Sequence, residues 1–338
     1  MNLIKKYSND KNIKASTMEG YTSAIKKYEQ FYAKSIEDLL AEAKGEENLP
    51  LNKRKIKKRL IDFRKYLIKS NLSSRSAKTY FSKIKAFYRF HDIEIPDIGN
   101  IKYTKDYQMN YNDLPTREHI KKAVEISEIG IQAMILFMAS SGTAKAETLS
   151  LTVNDFIKAT STYHNNDSIA SILDTLENKS IIPTFYLKRI KTDKYYYTFC
   201  TPEATDYIIK YLKSRPMLKK SSKLFDYSSS AVTAKFREIN DSNGWGFRGR
   251  YRFFRPHALR KFHASNISLP AETVDELQGR GKSEVHDAYI KSKPEALKKS
   301  YKNKMANVCI LKREEINEDD EFNIYINVFV GDKTINIQ

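Results

Sequence analysis

The sequence predicts a mainly α-helical protein of two domains, with a small β-hairpin in the second. Three observations predict it. Apolar residues recur at helical spacing through most of the first 90 residues. A stretch broken by Pro96, Gly99 and polar residues follows at 91–112. A β-branched and aromatic stretch at 180–200 then interrupts a second run of helices. At 338 residues, 41% of them hydrophobic, the chain is long enough for two cores. The domains are placed at 1–95 and 113–305, with a linker at 96–112 and an acidic tail at 306–338.

The first helix is expected over 13–45. Ser16 or Thr17 starts it, and Tyr21, Ile25, Tyr28 and Phe31 share one face. Residues 46–52 break it. A second helix over 53–70 carries Ile56, Leu60, Phe63, Tyr66 and Leu67. A third opens at Ser73 or Ser74 and turns Ala77, Tyr80, Ile84, Phe87 and Tyr88 inward. Between 51 and 90 there are fourteen Lys and Arg but a single acid, Asp62. Soluble helices ordinarily intersperse both signs. Lys53, Arg54, Lys57, Lys58, Arg64, Lys65, Arg75, Lys78, Lys83 and Lys85 are therefore read as a face that tracks a phosphate backbone. Such contacts give affinity and salt dependence rather than sequence choice. A merely solvated basic face is the plainer alternative.

The second domain opens with an amphipathic helix at 116–127. Residues 129–140 are apolar all round, so they belong inside a core. Ser141 to Thr143 make a turn, and Ala144 to Leu149 start a helix with Lys145 in its first turn. Phe185–Ile190 and Tyr195–Phe199 form a hairpin bent at Lys191–Lys194. Helices follow from Pro202 and over 229–240. The loop 241–256 holds Trp245, Arg248, Arg250, Arg252 and Arg255; it can approach a polyanion or stay a flexible surface segment. Glu295 to Met305 reads as a basic helix. The tail ends in a hairpin, Asn323–Val330 with Thr334–Ile337, around Gly331-Asp332.

A formal net charge of +18 and a pI of about 9.5 favour a polyanionic partner. Nucleic acid is the first candidate and an anionic membrane surface the second. The two cysteines make no metal spacing and no disulfide framework, which fits a reduced, intracellular setting. No apolar signal core opens the chain, and no run approaches the roughly 20 apolar residues of a membrane span. A soluble, cytoplasmic protein is expected. The six histidines do not pair with carboxylates in a ligand pattern, and no Gly-rich phosphate loop is present. Neither metal nor nucleotide cofactor is expected.

The stretch from Phe254 to Tyr289 carries the chemistry. His257 and Arg260, three apart, share a helix face. Gly279 and Gly281 bracket Arg280, and Ser283 can cap a helix that carries Tyr289. Cleaving a phosphodiester without metal needs a nucleophile, cations on the non-bridging oxygens and an acid for the leaving oxygen. Tyr289 can attack, given nearby positive charge to lower a reference pKa near 10. Arg260 and Arg280 are forks suited to phosphate oxygens. His257 can donate a hydrogen bond or move a proton, and Lys191 at the hairpin tip can reach the leaving 5′-oxygen. Taken singly, each of these residues has an ordinary structural reading; their order and spacing make the case.

That order resembles the tyrosine recombinases of the phage-integrase family, in particular those of archaea and their viruses. The family's His-x-x-Arg box matches HALR at His257 to Arg260. Its later box matches QGRGKSEVHDAY, with Arg280 at a position usually held by His. Its hairpin lysine matches Lys191. The resemblance covers about residues 10–305 and implies a core-binding (SAM-like) domain followed by a DNA breaking–rejoining catalytic domain. It implies four protomers on two duplex DNA sites, a 3′-phosphotyrosyl intermediate and no cofactor. Integration or excision of a virus or mobile element is the implied use, with resolution of chromosome dimers second. One departure stands out. The family's first arginine follows a Ser-Gly or Thr-Gly turn, and here that box reads SGTAKAETLSL. The column falls on Ala144, or on Lys145 in the archaeal-like variant. Lys145 is taken as the substitute, keeping the charge but losing the fork; an ordinary exposed helix lysine is the other reading. The departure also motivates a catalytically impaired homologue that only binds DNA. An RNA-binding or membrane-surface protein would explain the charge but not the ordered boxes.

Overall fold

The computed structural model describes residues 3–102, 107–165, 168–280, 293–311, 326–330 and 333–337. Helices dominate them, joined among the described residues by three two-stranded antiparallel sheets. The chain divides into two compact units, Met1–Gln108 and Met109–Gln338.

The first unit is helical: α1 (Leu3–Asp10), α2 (Ala15–Tyr32), α3 (Ile36–Gly45), α4 (Lys55–Lys69) and α5 (Ser74–Phe90). The single helix expected over 13–45 is two. Ala33 takes a left-handed conformation (φ 50°), and the Ser35 side chain accepts from the Asp38 N–H to start α3. Ser73 caps α5 in the same way. Ile25, Tyr28, Leu60, Phe63, Ile84 and Tyr88 meet in the core, where the Tyr28 and Tyr88 hydroxyls pair at 3.1 Å. Ile93, Ile98 and Ile101 bury into the same core. α5 ends at Phe90, after which Asp92 turns left-handed (φ 60°), and these isoleucines keep the following backbone on the first unit, inside the stretch read as a linker.

The second unit is built on α7 (Ile129–Ser141), eleven of whose residues are buried. α6 (Arg117–Glu125), α11 (Pro202–Lys213) and α13 (Pro256–Asn266) pack against it. The other helices are α8 (Lys145–Ser150), α9 (Val153–Ala159), α10 (Ile169–Leu176), α12 (Ser229–Ser242), α14 (Ala271–Leu277) and α15 (Pro294–Lys304). The hairpin pairs β1 (Thr184–Lys188) with β2 (Tyr195–Phe199), Thr184 opposite Phe199 and Lys188 opposite Tyr195. The loop 241–256 is not loose. β3 (Phe247–Arg248) and β4 (Tyr251–Arg252) pair within it, and Arg252 grips Asp241 with two bonds of 2.9 and 3.0 Å. Arginines there find acids and rings of their own unit, which a count of charges along the chain does not reveal.

α15 packs on its own unit. The Tyr301 hydroxyl donates to the Ser140 carbonyl at 3.0 Å, and the Glu203 carboxylate accepts from the N–H groups of Ile310 and Leu311. In the tail, β5 (Ile326–Val330) pairs with β6 (Lys333–Ile337). Among the described residues no helix is long and apolar enough to cross a membrane.

Candidate active site

The site begins at the turn that ends α7. Gly142 adopts φ +66°, a region that favours glycine. A Cβ there would lie 2.6 Å from His263 Nδ1 and 2.7 Å from Gln278 Nε2. Its carbonyl accepts from Arg260 Nη1 at 2.7 Å. Arg260 Nη2 donates to the Gln278 carbonyl, also at 2.7 Å. Gln278 returns the contact, its amide donating to the Arg260 carbonyl at 3.1 Å and to His263 Nδ1 at 3.0 Å. Two carbonyls at turn positions thus aim a guanidinium that is only 3% exposed. Burial, then the charges of Arg189 and Arg280, lower its pKa to about 10, so it stays a cation at neutral pH.

His257 lies one turn earlier on α13, which Pro256 opens at its first position. The residue is exposed, but protein crowds its ring and Lys261, Arg255, Arg260 and Arg280 surround it. Desolvation first and these cations second hold its pKa near 4, so the imidazole is neutral at pH 7. His263 is fully buried and lowered further, to about 3, again by burial and then by Arg260 and Arg280. Arg280 is exposed, follows Gly279 (φ +60°) and pairs with Asp275 at 3.2 Å.

The structure places His257, Arg260 and Arg280 near one another, each charge acting on its neighbours. Lys191 lies exposed in the turn between β1 and β2. Lys145 goes elsewhere: its ammonium donates to Thr233 Oγ1 at 2.8 Å and the Ser229 carbonyl at 3.0 Å, on α12. It is neither fully exposed nor turned to Arg260's carbonyl partners. Tyr289, and the helix expected from Ser283, lie outside the described residues.

Four further residues join the site. Arg189, where β1 enters the turn, donates to the Gln278 carbonyl at 3.3 Å. Glu147 on α8 is 3% exposed, accepts from the Ala144 N–H at 3.0 Å and lies 3.7 Å from Arg189. Tyr196 on β2 is buried, its hydroxyl without a hydrogen-bond partner and its acidity suppressed by burial and by Glu147. Gln278 is the fourth. A signal for Arg189 existed in the strand: Phe185 and Leu187 face inward, and period two puts residue 189 on their side.

The basic residues of the first unit divide into two sets. Lys53, Lys57, Lys58, Lys65, Arg75 and Lys78 are exposed. Tyr21, Arg75, Lys78, Thr79, Ser82 and Lys83 line an open groove, with Lys83 over the Tyr21 ring at 4.1 Å. Arg54 and Arg64 are held by backbone carbonyls, of Leu49 and Glu47 for the first and Gly99 for the second. Lys85 is 8% exposed and donates to Asn100 Oδ1 at 2.6 Å, so it ties the 93–101 segment to α5 rather than offering charge to solvent. No group of three or more His, Cys, Asp or Glu side chains among the described residues is placed to hold a metal ion.

No protein-family model matches the chain, and a comparison with curated proteins finds no match. Solved structures do match its fold. A lambda integrase dimer bound to a COC′ core site aligns at a TM-score of 0.56 and 14% identity, covering 86% of this chain and 97% of the other. A lambda integrase tetramer bound to a Holliday junction gives 0.55 at 15% identity, covering 86% and 76%. The XerH site-specific recombinase bound to difH substrate gives 0.50 at 16% identity, covering 88% and 81%.

Proposed function

We propose that the chain is a tyrosine-type site-specific DNA recombinase, which cleaves and rejoins duplex DNA through a 3′-phosphotyrosyl intermediate. The observation that supports this best is the convergence of Arg260, Arg280 and His257 on one site, in a fold shared with recombinases solved on DNA. Tyr289 attacks the scissile phosphorus as its phenolate, the phenol proton passing to water, and the bond to the 5′-oxygen breaks. Arg260 and Arg280 hold the non-bridging oxygens as charge builds. Neutral His257 donates a hydrogen bond to the same phosphate. Lys191, on the exposed turn, gives its proton to the leaving 5′-oxygen. The freed 5′-hydroxyl of a partner strand later attacks the phosphotyrosine, so the link conserves the bond energy and no nucleotide is consumed. The exposed lysines and arginines of the first unit contact the duplex backbone. Four protomers act on two DNA sites, and insertion or excision of a virus or mobile element is the use.

A DNA-binding homologue with impaired cleavage is the second reading. It is favoured by Ala144 at the first-arginine column and by Lys145 bonded to α12. A nicked duplex separates the two. Its sequence is first selected by the protein from a random duplex pool, and a nick beside the scissile phosphate lets the short 5′-hydroxyl product diffuse away. The recombinase reading predicts a covalent protein–DNA complex that Tyr289→Phe abolishes. Tight binding with no covalent complex supports the impaired homologue instead.

A further inference from the structure

The turn before α8 carries no arginine, and Lys145 points its ammonium at α12. Yet a second guanidinium is present beside Arg260. Arg189 and Arg260 donate to the same carbonyl, that of Gln278, and the charge of Arg189 bears on Arg260. We infer that Arg189 supplies the second guanidinium of the phosphate site, holding a non-bridging oxygen of the scissile phosphodiester next to Arg260. This rests on reading the chain as a DNA-cleaving enzyme.

Donor accounting supports it. A guanidinium has five N–H donors in a rigid fork. Among the described residues, the Arg189 guanidinium makes one hydrogen bond, and that one is long, at 3.3 Å. Its approach to Glu147, at 3.7 Å, is an ion pair beyond hydrogen-bond range. The Glu147 oxygen involved already accepts from the Ala144 N–H. Glu147 therefore draws Arg189 inward without saturating it. Arg260, by contrast, spends two short bonds on carbonyls that fix its direction.

Two guanidiniums held close together repel unless an anion lies between them. Here one buried carboxylate, Glu147, faces Arg189 and Arg260, while Arg280 has Asp275. The local balance is positive, which suits a phosphodiester. Arg189 is also reachable: its side chain is 16% exposed, and it joins the turn that carries Lys191. One hairpin would thus deliver the phosphate grip and the leaving-group acid together. An arginine from a hairpin would take over the task the family assigns to the start of α8.

Inorganic phosphate is the first probe, titrated calorimetrically into the full chain at fixed ionic strength. Arg189→Gln and Lys145→Gln remove the same charge, so general electrostatics cancel in the comparison. Arg189→Gln is expected to weaken phosphate binding about tenfold and Lys145→Gln less than about twofold. Equal losses, a larger loss in Lys145→Gln, or no saturable binding by the parent protein would overturn the assignment. Arg189→Lys keeps the charge without the fork and carries the same test should Arg189→Gln fold poorly; it is expected to lose most of the binding.

The nicked duplex is the second probe. Arg189→Gln is expected to form the covalent complex about 100-fold more slowly, a larger loss than the roughly tenfold or smaller fall in duplex affinity. Replacing one non-bridging oxygen by a methyl group removes the charge that Arg189 meets, and should restore much of the rate in this variant. A parent protein that forms no covalent complex sinks the recombinase reading and leaves the phosphate titration to decide on Arg189. A parent that cleaves, with Arg189→Gln cleaving equally fast, overturns the inference alone.

Discussion

Arg189 and Arg260 converge on one carbonyl oxygen, that of Gln278, at 3.3 and 2.7 Å. That oxygen ties the end of β1 to α13 and to the turn after α14. Stability and chemistry are therefore coupled at this point, and variants should reveal both.

Arg260→Ala should abolish covalent-complex formation and also destabilise the second unit. It strands the Gly142 carbonyl, worth about 1–3 kcal/mol when left unsatisfied, and leaves the Gln278 carbonyl with only its long bond from Arg189. Arg260→Lys can satisfy one of them and should recover stability more than cleavage. Denaturant unfolding, read beside the nicked-duplex assay, checks both.

Gly142→Ala should cost about 1–3 kcal/mol through overpacking and backbone strain. The added Cβ meets His263 and Gln278 at a position with φ +66°. A variant as stable as the parent would mean that the His263–Gln278 pair can withdraw. Cleavage should fall too, because the Gly142 carbonyl aims Arg260.

His263 should make stability depend on pH. Its folded pKa is near 3 against an ordinary 6.5, because the ring is buried beside Arg260 and Arg280. Between those values the unfolded chain holds a proton that the folded chain refuses. The contribution is fully present above pH 6.5 and falls away as pH drops toward 3. The slope from this group is at most about 1.4 kcal/mol per pH unit. His263→Gln should flatten the stability profile between pH 6 and 4 relative to the parent; an unchanged slope would remove His263 as its source.

The first unit predicts a salt signature. Lys57→Ala, Lys58→Ala and Lys65→Ala should weaken duplex binding at all sequences alike. Each should lower the slope of log affinity against log salt by about 0.9 if it meets one phosphate. Lys85→Ala should leave that slope alone and lower the melting temperature, since Lys85 holds Asn100 from a buried position.

These residues also show what the sequence discloses and what it withholds. The apolar faces of α4 and α5, the all-round apolar α7 and the β1–β2 hairpin could be read because local pattern alone places their apolar residues. The break between α2 and α3 was masked, although Ser35 with Glu37 and Asp38 is a helix start, because the apolar stripe continues across it. In the site, His257, Arg260 and Arg280 could be read from spacing. Lys145 could not, since its direction depends on Ser229 and Thr233, on a helix that only the tertiary fold brings near. Gly142 likewise meets His263 and Gln278 only through the tertiary fold. Arg189 was readable in principle as the next inward position just past β1, but beside Lys191 it looked like one more turn cation.

The central claim is that Tyr289 becomes joined to a DNA 3′-phosphate. The direct measurement is peptide mapping of the trapped protein–DNA complex by mass spectrometry after nuclease and trypsin digestion. Cleavage after Lys282 and Lys291 releases residues 283–291, which contain Tyr289. The account predicts that this peptide carries the mass of a 3′-linked nucleotide on Tyr289. The same adduct on another tyrosine, or on no peptide of a protein that demonstrably cleaves, would contradict it.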